Sequence, residues 1–142
     1  MSRKGWIVLG WAVLAAYLVT TGDLGAKADK DPAVKELMSK MNDEKKGIRT
    51  DIIKGLDKDD PDWDALQKLT KDYLDSAKAV GKLAPPRGDK DSWAEKTKEF
   101  GGLAKDLDDA AKTKDKGKTK AVVTSKLGQT CRECHAAHRP VK

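Results

Sequence analysis

"SWAEKTKEFGGLAKDLDDAAK", Ser92 to Lys112, is the stretch that decides the fold. Its residues Trp93, Thr97, Phe100, Ala104, Leu107 and Ala111 recur at alternating steps of four and three. That is the period of an α-helix with one buried face. Lysine, glutamate and aspartate fill most of the remaining positions, as on a solvated face. Ser92 followed three residues later by Glu95 has the form of a capping box, so the pattern predicts a helix over 92–112 that starts at the serine.

The same period extends in both directions. Towards the N-terminus, "GKLAPPRGDKD" cannot continue a helix, because it holds two prolines and two glycines. Before it, Trp63, Leu66, Leu69, Tyr73, Ala77 and Val80 mark a helix over roughly 61–81, with Asp60 as its cap and Pro61 in its first turn. Val34, Leu37, Met38, Met41, Ile48, Ile52 and Leu56 mark another over roughly 31–56, with one longer step from Met41 to Ile48. Towards the C-terminus, "KTKDKGKTK" is a polar linker, and a last helix from near Lys118 carries Val122, Val123, Leu127, Cys131, Cys134 and His135 towards Arg139. Four amphipathic helices with short connections predict an all-α fold, an antiparallel four-helix bundle.

Composition agrees with that class and narrows the function. Only 38% of the 142 residues are hydrophobic and 37% are charged, so the core must be thin. The net charge is +6, but the signs alternate along each helix and no basic face is interleaved with aromatics. Nucleic acid is therefore not the expected partner.

The first 28 residues have a different character. A basic start at Arg3 and Lys4 is followed by an apolar run from Trp6 to Val19 and then by Ala26-Lys27-Ala28, a pattern of export and cleavage. The run is about 14 residues, shorter than the ~20 that span a bilayer. Residues 1–28 are expected to be a signal peptide, or an uncleaved anchor if the segment is retained, and 29–142 the helical domain. The protein is expected to be exported to the periplasm, and to meet a membrane only through a retained anchor.

Both cysteines and both histidines lie in "TCRECHAAHR", Thr130 to Arg139. Cys131-Arg132-Glu133-Cys134-His135 is the attachment pattern of a c-type haem. Thiols three residues apart share one face of a helix, so both can add to vinyl groups along one porphyrin edge, and the next residue brings an imidazole to the iron. Zinc held by the cysteines with His135 or His138 is one alternative, although structural zinc sites usually draw a second ligand pair from elsewhere in the chain. A thioredoxin-type dithiol, which expects a βαβ unit that the pattern lacks, and a plain disulfide, which has no use for the histidine, are the others.

A C-terminal Cys131-x-x-Cys134-His135 followed by Arg139, on the last helix of an exported four-helix chain, resembles the class II cytochromes c, the cytochrome c-prime family. The likeness in helix order covers nearly all of 29–142, while the specific motif is the last dozen residues. It implies one covalent haem c on Cys131 and Cys134, with His135 as the proximal ligand, inside the bundle. It also implies redox protein partners, and homodimers are common in the family. His138 stands where the family usually has an aromatic residue, and is expected to pack near the haem edge. It follows His135 by three residues on the same side, so it cannot easily reach the opposite face of the iron. Arg139 is a candidate for a propionate, since guanidinium and carboxylate match in fork geometry.

The distal face separates the functions that the resemblance implies. A methionine from the first helix gives a six-coordinate electron carrier, whereas an apolar residue there leaves a five-coordinate iron that binds nitric oxide or carbon monoxide. Met38 is the expected ligand, with Met41 as the alternative, although a methionine on an apolar stripe is also ordinary core. Electron transfer is the leading reading. No enzymatic activity is expected, because an electron carrier needs no nucleophile or acid–base pair. A non-haem helical module with a disulfide or zinc staple is the reading from another class.

Overall fold

The structure is a computed structural model and describes residues 32–140. The predicted signal peptide, 1–28, lies outside the described residues. Those residues are all-helical, with no strand among them: α1 Pro32–Asn42, α2 Ile48–Leu56, α3 Trp63–Val80, α4 Lys90–Lys112, α5 Lys116–Ala121 and α6 Leu127–His138. A single widened turn, Val122–Lys126, joins α5 to α6 without a break in the helix. No described helix is long and apolar enough to cross a membrane.

Cross-contacts give the packing. Gln67 on α3 donates to the Ala111 carbonyl at 3.2 Å, Thr70 to Asp108 at 3.1 Å, and the Trp93 indole to the Leu83 carbonyl at 2.8 Å, so α3 and α4 run antiparallel. Lys96 pairs with Glu133 at 2.9 Å and Thr130 donates to Glu99 at 3.3 Å, which sets α6 antiparallel to α4. Lys120 pairs with Asp57 and Arg49 with the Val123 carbonyl, so α2 runs against the α5–α6 arm. The arrangement is compatible with a helical bundle. Ile52, Leu56, Leu66, Tyr73, Val80, Leu107, Val123 and Leu127 fill its centre almost without exposure, and Tyr73 meets Phe100 edge-to-face at 5.9 Å.

Three sequence expectations need correction. The helix expected over 31–56 is two helices, broken where the apolar pattern takes its long step. The Asp43 carboxylate accepts the amides of Lys45 and Lys46, and the Thr50 hydroxyl donates to the Asp43 carbonyl, which closes a tight turn. Gly47 is required there, because a Cβ would lie 2.5 Å from the Asp43 nitrogen. The cap of α3 is Asp62, which accepts from the Ala65 amide, so the helix starts at Trp63 rather than at Pro61. The cap of α4 is Asp89, which accepts the amides of Asp91 and Ser92, and α4 starts two residues before the predicted capping box. Aspartate N-caps as well as serine, and the earlier cap satisfies the first amides while leaving the Ser92 hydroxyl free for another partner.

Candidate functional site

α6 positions its residues by helical spacing. Thr130, Cys131 and Cys134 line one cleft, with His135 at its mouth, and Thr97 and Phe100 of α4, Val80 of α3 and Met38 of α1 close the other sides. Every arm that surrounds the core thus contributes a wall. The cleft is narrow, with a cavity volume of about 20 Å³, and no charged side chain lines it. Met38 and Cys131 are more than ninety residues apart in sequence, and the fold brings them to one opening.

The two candidate methionines separate cleanly. Met38 is half-buried and lines the cleft, whereas Met41 is wholly buried in the hydrophobic core. The Asn42 amide approaches the Met38 sulfur at 3.9 Å, and the Tyr73 hydroxyl donates to the Asn42 oxygen at 3.2 Å. Tyr73 thereby fixes which end of the Asn42 amide faces the sulfur. A thioether has two lone pairs, so one such contact leaves the other pair available.

Burial sets the charge state of the motif. It pushes the Cys131 thiol up, against the opposing pull of Arg49 and Arg132, and it pushes Cys134 up as well. It pulls the His135 imidazole down, helped by the cationic Arg139 nearby. At neutral pH the two thiols are therefore protonated and His135 is neutral, with a ring nitrogen lone pair available. Both cysteines are free thiols.

His138 does not line the cleft. It is buried and packs edge-to-face on Trp93 at 5.3 Å rather than lying flat at a cofactor edge. Its Nδ1 is 2.8 Å from the Arg87 carbonyl and must donate, and its Nε2 is 3.1 Å from the Ser92 hydroxyl, which donates to it in the neutral ring. Arg87 in turn donates to the Ala136 and Ala137 carbonyls at 3.0 and 3.3 Å, so the loop between α3 and α4 caps the end of α6. Gly88, with φ of 83°, lets that loop pass close to Ala137. Arg139 is exposed, and its amide donates to the His135 carbonyl.

The donor set fits a macrocycle better than a closed metal site. Two thiols on one helical face, an adjacent imidazole, a thioether lining the same cleft and uncharged walls are donor types that suit a covalently held haem. A zinc site would need His135 or His138 to converge with both cysteines, and His138 is engaged at both nitrogens elsewhere. Among the described residues, no three His, Cys, Asp or Glu side chains gather as a metal-ion site.

Sequence reasoning missed Asn42 and Arg49. Asn42 follows Met38 by four residues, one helical turn, which is a usable signal. Arg49 reaches the last arm only through the fold. Comparison with protein-family models, with curated proteins and with solved structures returns no match to this chain.

Proposed function

We propose that this chain is an exported single-haem c-type cytochrome that carries electrons, built on the four-helix bundle of the class II family. The observation that carries the reading is the meeting of Met38 with Cys131, Cys134 and His135 at one uncharged cleft. In this reading Cys131 and Cys134 would hold the haem as thioethers, and His135 and Met38 would ligate its iron. The haem, when bound, supplies a one-electron couple.

The chain's residues account for the rest. Val80 and Phe100 line the cleft with apolar surface, and a low local dielectric favours the less charged redox state. The neutral His135 presents a lone pair without first losing a proton. Asn42 and Tyr73 orient the Met38 sulfur. Arg139, exposed beside His135, is available to a propionate. No acid–base pair is called for, so no enzymatic activity is proposed. Electron transfer implies redox protein partners, and the N-terminal pattern of residues 1–28 supports export to the periplasm.

A gas-binding haem would want an apolar residue in the place of Met38, and so has less support. A disulfide or zinc staple leaves Met38 and the apolar walls without a role. The test is the exported protein itself. A covalently red chain with a c-type pyridine haemochrome spectrum, low-spin when reduced and unshifted by carbon monoxide, is the expected result. A colourless chain overturns the proposal, and a high-spin spectrum that shifts with carbon monoxide replaces the carrier with the gas binder.

A further inference from the structure

The last arm carries a change of helical phase just before the cysteines. Thr119, Val122 and Val123 are buried up to the first residues of the widened turn, and Leu127, Thr130, Cys134 and His138 are buried after it. Counted at 100° per residue, the two sets are centred roughly 70° apart. An unbroken α-helix that kept the first set inward would turn Glu133 and Ala137 towards the core in place of Cys134 and His138. The widened turn absorbs the difference: the Leu127 amide bonds the Val122 carbonyl, five residues back rather than four.

Such a turn leaves carbonyls without their usual donors, and a group on another helix meets them. Arg49 of α2 donates from Nε to the Val123 carbonyl at 2.9 Å and from Nη2 to the Thr124 carbonyl at 3.5 Å. The planar fork of arginine fixes two neighbouring carbonyls in one geometry, whereas the flexible ammonium of lysine imposes none. The same guanidinium is close enough to Cys131 to act on its thiol electrostatically.

We infer that Arg49 is a positioning residue for the cysteine–histidine motif: it holds the widened turn at Val122–Lys126 and so sets the face of α6 that Cys131, Cys134 and His135 present to the cleft. Its consequence for haem attachment rests on the proposed function, but the register it sets does not. Deleting Ser125, which is exposed, would leave the two buried sets only roughly 30° apart, so a regular α-helix could then satisfy both without arginine.

The test compares the full chain with Arg49→Leu, the Ser125 deletion, and the two combined, each reduced and haem-free, with helicity followed by circular dichroism. The readout is the order of alkylation of the two thiols by mass spectrometry. In the parent chain the half-buried Cys131 should react before the buried Cys134. Arg49→Leu should abolish that order, Arg49→Lys should not restore it, and the deletion combined with Arg49→Leu should. If Arg49→Leu does not fold, the deletion variant decides: its melting temperature should be indifferent to Arg49→Leu. Retention of the parent order in Arg49→Leu, or no rescue by the deletion, overturns the inference. Covalent haem per exported chain is the second readout, expected to fall and recover in the same pattern. If no variant carries haem, the proposed function fails while the thiol order still judges Arg49.

Discussion

Two arms of the molecule are continuous and two are interrupted, and the candidate site hangs on the interrupted pair. α3 and α4 run unbroken for 18 and 23 residues and pack along each other. The N-terminal arm breaks between α1 and α2 in a glycine turn, and the C-terminal arm widens between α5 and α6. Met38 lies just before the first interruption, and Cys131, Cys134 and His135 lie just after the second. The continuous arms supply walls and rigidity, through Val80, Thr97 and Phe100. Among the described residues, the interrupted arms supply every side chain with a sulfur or imidazole donor. Local departures from the regular helix let donors be aimed independently of the frame.

That division can be broken at several points. The largest effect is expected from replacing Cys131 and Cys134 together by serine: covalent haem falls to none, as read by haemochrome spectrum and denaturing mass spectrometry. A change within the frame acts differently. Leu107→Ala, at a fully buried position of α4, should cost about 2–5 kcal/mol in denaturant unfolding and leave the spectrum of the folded protein unchanged.

The methionines sharpen the contrast within one arm. Met38→Leu should keep stability within about 1.5 kcal/mol and remove the reduced low-spin band, whereas Met41→Leu should keep the band. A band that survives in Met38→Leu would show that Met38 does not bind iron. Tyr73→Phe, which removes only the hydroxyl bonded to Asn42, should cost about 0.5–1.5 kcal/mol and shift the Met38 methyl resonance in NMR. An unmoved resonance would uncouple Tyr73 from the sulfur.

The smallest effect concerns acid. The Ser92 amide, with that of Asp91, holds the Asp89 carboxyl below its ordinary value of 3.8. A carboxylate with a depressed value stabilises the fold above its unfolded pKa, and that contribution is lost as the pH falls through the lower, folded value. Stability should therefore be level from neutrality to about pH 5 at this group and decline below about pH 4. Asp89→Asn should make that acid limb shallower in thermal melting, the remainder coming from Asp43, Asp75, Asp109 and Glu133, which are also held below their ordinary values.

Much of the frame was legible in the residues themselves. The steps of three and four in 92–112 located the buried face of α4, and Trp93, Phe100 and Leu107 lie on it. The long step from Met41 to Ile48 was visible, but its meaning depended on Gly47 passing against the backbone of Asp43, a close approach that periodicity does not encode. The caps differed because several aspartates near the start of α3, and two aspartates and a serine near the start of α4, can all accept amides. Which one does so depends on where the loop enters, as with Ser92, whose hydroxyl is drawn to His138. The phase change at Val122–Lys126 was hidden because Val122, Val123 and Leu127 are compatible with either a regular or a widened turn.

By itself the sequence determined the helical class, because burial at a period of 3.6 is a property of each segment alone, and it determined the motif, because two thiols and an imidazole at fixed spacing share a helical face wherever that helix goes. The tertiary structure decided which methionine meets the motif, where His138 points and what holds the last arm in register. Those outcomes depend on contacts between arms distant in the chain, and a one-residue change of helical phase moves each by roughly 100°.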